Sequence, residues 1–314
     1  MPAPTAPKRL LFAVKVMSTK LPAPPSFGQV SLDIPIQRER DRNFHLGGRS
    51  FYFFDFDDNV VHLHTKIVVF HKVTGAEKEV STTDFPQVHP QLGRTGTEWE
   101  HYEARELSDS NSFRNFREMP AHLLGGRPQP LVADMLSALQ NPFQDWRGPS
   151  WSFFEKAVNN NRPISVITAR GHHPHTIRRG IDLLVLSGDL AAHPNYLSVY
   201  PVSNPEIRRQ LGDNEMKMST GDLKKIAIKV AVADAFACYG ENPHHRFGMS
   251  DDDPHNVALI IEAMRELKEQ HPDNAFYAFN TFGGKIVREE VLVGGTVKRD
   301  VVESDDAKSQ MSLF

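Results

Sequence analysis

The chain has 314 residues, 39% hydrophobic and 24% charged, with a formal net charge of −3. That composition is ordinary for a globular protein with one large core or a core plus a smaller domain, and it gives no electrostatic reason to bind nucleic acid in general. A single cysteine, Cys238, excludes an intrachain disulfide, and no run approaches the roughly 20 apolar residues that span a bilayer, so a cytoplasmic protein without membrane contact is expected.

Residues 1–48 carry Pro-rich pieces and the charged run Arg38-Glu39-Arg40-Asp41-Arg42, which predicts an extended arm; Val30 to Ile34 alternates and has the pattern of an edge strand. The apolar stretch Leu10 to Val14 is too short for a signal-peptide core. Next comes the most informative segment, Phe51-Tyr52-Phe53-Phe54-Asp55-Phe56-Asp57-Asp58-Asn59-Val60-Val61. Its aromatic run predicts a strand over 51–56 that is buried on both faces. Carboxylates at the end of such a strand are costly unless a cation or a shared proton compensates them. A divalent-metal or acid/base site satisfies that need; an Asp-rich turn capping its own backbone is the alternative. Residues 66–149 read as an insertion: Lys66 to His71 and Glu77 to Ser81 alternate around Thr74-Gly75 as a β-hairpin, followed by scattered aromatics.

From residue 150 onward, strands and helices alternate. Strands are predicted at 164–168, 196–202, 245–249 and 275–280, and helices at 151–159, 174–187, 222–238 and 255–270. This alternation predicts βαβ units and a doubly wound parallel sheet of the α/β class. Cys238 falls in the mostly apolar run 226–239 and is expected to be a buried, inert thiol. Residues 286–314 are read as a carboxyl-terminal extension, polar and mobile from about Val301. The paired histidines (His62 and His64; His172, His173 and His175; His244 and His245) lack a helical metal-ligand spacing and are expected mostly at the surface or the rim of a site.

Four blocks stand in order at these predicted strand and helix ends: Asp55-Phe56-Asp57, Thr168-Ala169-Arg170, Lys224-Lys225 behind Ser219-Thr220, and Asp251-Asp252. In type and order they resemble the motifs of the haloacid dehalogenase-like hydrolase superfamily, over roughly residues 49–278. The resemblance implies a Rossmann-like core at 49–65 and 150–285, with 66–149 as an inserted cap that selects substrate. It also implies a Mg²⁺-dependent phosphatase acting on a small phosphorylated substrate. Asp55 would be the nucleophile and Asp57 the general acid/base, its backbone carbonyl also a metal ligand. Thr168, with Ala169 and Arg170, would bind the phosphoryl group, although Arg170 could equally pair with an acid. Lys224, a closer match than Lys225, would offset the negative charge. Asp251 and Asp252 would complete the metal site, with Asn256 orienting a metal-bound water. Asn59 departs from the Thr or Val usual at its position. Two other functions stay open: a catalytically silent binding protein of the same fold, and a phosphatase acting on nucleic-acid ends through Arg105, Arg114, Phe116 and Arg117. The sequence carries no signature of oligomeric state.

Overall fold

A computed structural model describes residues 38–82, 84–105, 111–141 and 145–302. The strands are β1 (Ser50–Phe54), β2 (Lys66–His71), β3 (Glu77–Ser81), β4 (Tyr102–Glu103), β5 (Pro163–Thr168), β6 (Asn195–Pro201), β7 (Arg246–Asp251), β8 (Ala275–Asn280), β9 (Ile286–Val291) and β10 (Val297–Val302). The α-helices are α1 (Phe85–Val88), α2 (Ala121–Leu124), α3 (Pro130–Gln140), α4 (Trp151–Asn159), α5 (Pro174–Leu186), α6 (Pro205–Gln210), α7 (Thr220–Tyr239) and α8 (Pro254–Gln270). The alternating Val30–Ile34 segment lies outside the described residues.

Seven strands form one sheet in the order β10-β9-β8-β7-β1-β5-β6. Five of them are parallel, with β1 between β5 and β7; β9 and β10 close one edge antiparallel. The chain therefore builds outward from β1 through β5 to β6, then crosses back to add β7 and β8. The direction of growth reverses between β1 and β7, and open α/β sheets bind ligands outside the carboxyl ends of the strands at that switch point.

The aromatic run explains why β1 lies at the centre. Phe51 and Phe53 enter a core cluster with Leu223 and Ala227 of α7 and Ile260 and Met264 of α8. Tyr52 and Phe54 enter the opposite cluster, with Phe154 of α4 and Ile177 and Ile181 of α5. Side chains of a strand alternate between faces, so a strand apolar at every position must be covered by helices on both sides.

Three parts of the sequence reading change. Residues 130–140, placed in the insertion, form α3, and Leu131 and Met135 join the same buried cluster as α5. Residues 286–302, placed in the extension, form a hairpin that continues the main sheet, so Val301 and Val302 belong to β10. Cys238 is exposed: in the last turn of α7 it is Phe236 and Tyr239 that pack against the core, and Cys238 faces away from it. The insertion keeps a three-stranded sheet of its own, β3-β2-β4, around Val69, Val80, Val88 and Trp99. Of the arm, Asp41 docks on the core through Arg162, at 2.7 Å, and accepts a hydrogen bond from the Ser50 backbone N–H.

Candidate functional site

Parallel pairing puts the carboxyl ends of β1, β5 and β7 on one edge, and each ends in a polar residue. Asp55 follows β1, Thr168 closes β5 and Asp251 closes β7. The β1–β7 ladder continues one residue past the strand, where the Asp55 backbone N–H donates to the Ser250 carbonyl at 3.0 Å, so Asp55 and Asp251 sit side by side across the switch point.

Between them stands Lys224, from the first turns of α7. Ser219 caps that helix by accepting from the Asp222 backbone N–H. The Lys224 Nζ lies 2.9 Å from Asp251 Oδ2 and 3.2 Å from Asp55 Oδ2. All three side chains are buried. Burial opposes the charge on Lys224, yet the Asp55 and Asp251 carboxylates outweigh it and raise its pKa above the usual lysine value. Lys225, one helical step around, pairs instead with Glu262 and Glu266.

The Asp55 carboxyl is pushed well above the usual carboxylate range, first by burial; Lys224 pulls it down, and Asp251, Asp252 and Asp57 push it up. Its Oδ1 is buried without a hydrogen-bond partner. Carboxylate oxygens of Asp55, Asp251 and Asp252 lie within 4.8 Å of one another. Burial and the neighbouring Asp251 push the Asp252 carboxyl up to about 7. An oxygen-only donor set with an unpartnered oxygen and crowded negative charge fits a hard divalent cation. Asn256 donates to Asp251 Oδ1 at 3.2 Å, fixing that carboxylate's rotamer. Asp253 caps α8 by accepting from the His255 backbone N–H.

Asp57 stands apart from that trio because Arg170 holds it. Arg170 Nε donates to both Asp57 oxygens, at 3.0 and 2.8 Å, and an Nη2 donation reaches Oδ1 at 2.6 Å. Of the two readings open for Arg170, pairing with an acid is the observed one. The same Nη2 donates to Thr65 Oγ1 at 2.7 Å, and Thr65 in turn donates to Asp134 Oδ2 at 2.5 Å. Burial raises the Asp134 carboxyl, against the Thr65 hydrogen bond. Neither Thr65 nor Asp134 carried a signal in the sequence, since each matters only through a long-range partner. The Thr168 hydroxyl donates to Asp57 Oδ2 at 3.4 Å and accepts from the Arg170 backbone N–H. Ala169 is exposed and lines the adjoining cleft.

Asn59 has a structural role. Fully buried, it donates through Nδ2 to the carbonyls of Asp55 and Ser250 and to Ser250 Oγ, at 2.9–3.1 Å. Its Oδ1 accepts from Ser150 at 2.7 Å and Thr281 at 2.9 Å. One side chain thus ties together the loop after β1, the end of β7, the start of α4 and the end of β8. Neither Thr nor Val offers an amide's donors and acceptor together. Gly148 permits the close approach on this side, because a Cβ there would collide with the Asn59 carbonyl.

The histidines do not all lie on a rim. His173 and His175 are exposed, but His172 is fully buried with neither ring nitrogen hydrogen-bonded, and burial lowers its pKa to about 3. His245 is buried too; its Nε2 contacts the Gly240 carbonyl at 3.0 Å, and its Nδ1 accepts from the Arg49 backbone N–H. No protein-family model matches the chain, and no curated protein or solved structure is significantly similar to it.

Proposed function

We propose that this protein is a Mg²⁺-dependent phosphomonoester hydrolase of the haloacid dehalogenase-like type, acting through a phosphorylated Asp55. The observation that carries the reading is the half-satisfied Asp55 carboxylate at the switch point. Its Oδ2 is held by Lys224 and its Oδ1 is left without a partner, with Asp251 and Asp252 beside it and an oriented Asp57 two residues away. Asp55, Asp251 and Asp252 would hold the cation, which when bound supplies positive charge against both the carboxylates and the incoming phosphate.

The chain's own groups account for the rest. Lys224 keeps Asp55 oriented and partly neutralised. An Asp55 oxygen attacks phosphorus as the phosphorus–ester oxygen bond breaks, and Asp57 gives its proton to the departing oxygen. Water then attacks the acyl phosphate, Asp57 takes back a proton, and inorganic phosphate leaves with Asp55 regenerated. Held by the Arg170 guanidinium, Asp57 has no proton to give; an entering phosphate dianion that competes for the guanidinium frees it to take up a proton from solvent, and that proton goes to the departing oxygen. That Ile67 and Phe85 border the same cleft as Asp57 and Arg170 supports reading residues 66–103 as part of a cap that selects substrate.

A role at nucleic-acid ends has less support, because Arg105 and Arg114 are already paired with Glu103 and Glu77. The test is p-nitrophenyl phosphate and alkyl phosphate hydrolysis by the wild type, Asp55→Asn and Asp57→Asn, with and without Mg²⁺. Asp55→Asn should abolish turnover. Asp57→Asn should slow alkyl esters by roughly 10²–10⁴-fold and the nitrophenyl ester less, because its leaving group needs little protonation. Full activity in Asp55→Asn would overturn the nucleophile, and an inactive wild type across a broad ester panel would leave a binding protein.

A further inference from the structure

Two clefts open beside the acidic cluster, and both are bordered by Thr82. Their chemistry differs. The larger, of about 920 Å³, carries Asp58, Asp252 and Asp253. Its basic groups, His62 and Arg147, are already paired with Asp58 and Asp189. An anionic ester entering there would meet Asp253, which neither those basic groups nor the cation held by Asp55, Asp251 and Asp252 would offset. The smaller cleft, of about 470 Å³, holds one acid, Asp57, which Arg170 already neutralises.

That smaller cleft has two further properties. Its apolar wall is formed by Ile67, Phe85, Phe113 and Phe116, all from the segment before α3. The three phenylalanine rings are only half-buried; Phe113 meets Phe85 edge-on at 5.6 Å and Phe116 at 6.4 Å. The Arg170 guanidinium lies over the Phe116 ring, 5.0 Å from its centroid, while Phe85 and Phe113 stay partly open to the cleft, and flat rings pack on such walls in stacked or edge-on geometry. Three guanidinium groups, those of Arg117, Arg170 and Arg208, line the same cleft. Arg170 has a buried Nη1 without a partner. Arg117 is exposed, and its side chain meets no acid among the described residues. Arg208 is satisfied by Asp213 and the Met218 carbonyl.

We infer that this cleft is the leaving-group site of the proposed phosphatase, and that it takes phosphomonoesters whose alcohol portion carries a flat ring bearing an anionic substituent. The inference rests on the reading of Asp55 and Asp57 given above. The ester oxygen lies next to Asp57, which borders the cleft, so the alcohol portion extends along the phenylalanine wall. Arg117, at the exposed side, pairs with a carboxylate or similar group at the ring's far end.

Benzyl and butyl phosphate separate ring recognition from leaving-group chemistry, because both release alkoxides of similar basicity. The wild type should favour benzyl over butyl phosphate in kcat/KM by roughly tenfold. It should favour 4-carboxybenzyl over benzyl phosphate by about two- to fivefold, the scale of an exposed ion pair. Arg117→Gln should erase the second preference and Phe113→Leu should weaken the first. Equilibrium binding of benzylphosphonate, 4-carboxybenzylphosphonate and butylphosphonate to the full chain with Mg²⁺ gives a readout independent of turnover. Ring-selective binding without turnover on any ester would keep the cleft and overturn the phosphatase reading. Turnover with no ring preference, or a carboxylate preference that survives Arg117→Gln, would overturn the cleft assignment and keep the phosphatase. Neither binding nor turnover would overturn both.

Discussion

Replacing Lys224 by Met tests whether the buried lysine holds the site together. The side chain is almost fully buried, with Nζ 2.9 Å from Asp251 Oδ2 and 3.2 Å from Asp55 Oδ2. At an effective dielectric constant of about 20, each contact has a gross attraction of about 5–6 kcal/mol, which desolvation of the three groups largely offsets. Removing the lysine leaves that desolvation in place and takes the attraction away. The net loss expected at neutral pH is then about 3–5 kcal/mol, as for other buried pairs that lose one member. In a domain of this size that corresponds to a fall in Tm of about 6–20 °C.

The pH dependence has a definite sign. The pKa of Lys224 is raised in the fold, so its stabilisation is complete below the unfolded lysine value of 10.5 and is lost only as pH rises beyond it, outside the assay range. Asp55 is raised as well, so its burial costs stability above its folded pKa, and that cost fades as pH falls through it. The wild type offsets this cost with Lys224 and the variant cannot. The deficit of Lys224→Met should therefore be widest near neutrality and narrow on acidification, when protonated Asp55 no longer needs a cation. Urea unfolding followed by circular dichroism across that range measures it. A variant as stable as the wild type at neutral pH, or one whose deficit is unchanged in acid, would refute the reasoning.

Asn59→Ala should cost at least about 1–3 kcal/mol in urea unfolding, because it orphans buried polar groups on four segments. Asn59→Asp, with no amide donors for the Asp55 and Ser250 carbonyls, should not restore it. Mg²⁺ affinity should rise with pH through about 7, where Asp252 loses the proton that competes with a cation, so calorimetric titrations at about pH 6 and pH 8 should differ by up to roughly tenfold. Equal affinities at the two pH values would remove Asp252 from the ligand set.

Segments whose environment is dictated by their own residues were legible in advance. Four consecutive aromatics can be satisfied only by cover on both faces, so β1 had to be central. Acids directly after a buried strand mark its carboxyl end, and Ser219 and Asp253 announce helix starts through hydrogen bonds only a few residues long. What depends on distant partners was not legible. Only the motif resemblance favours Lys224 over Lys225 in the sequence, since the two are chemically identical neighbours; about 100° of helical rotation and the position of α7 on the sheet send one to Asp55 and the other to Glu262. Arg170 was ambiguous until the fold brought it to Asp57, 113 positions away in sequence. The amphipathic α3 looked like part of the insertion because the surface it covers belongs to α5, and the β9–β10 hairpin looked like a tail because its register is set by β8. The polarity and chemistry of each strand end follow from neighbouring residues, because local burial and capping act within a segment. Which of those groups meet, and which residue completes each pair, was decided by tertiary structure alone, because those interactions act between residues that only the sheet topology brings together.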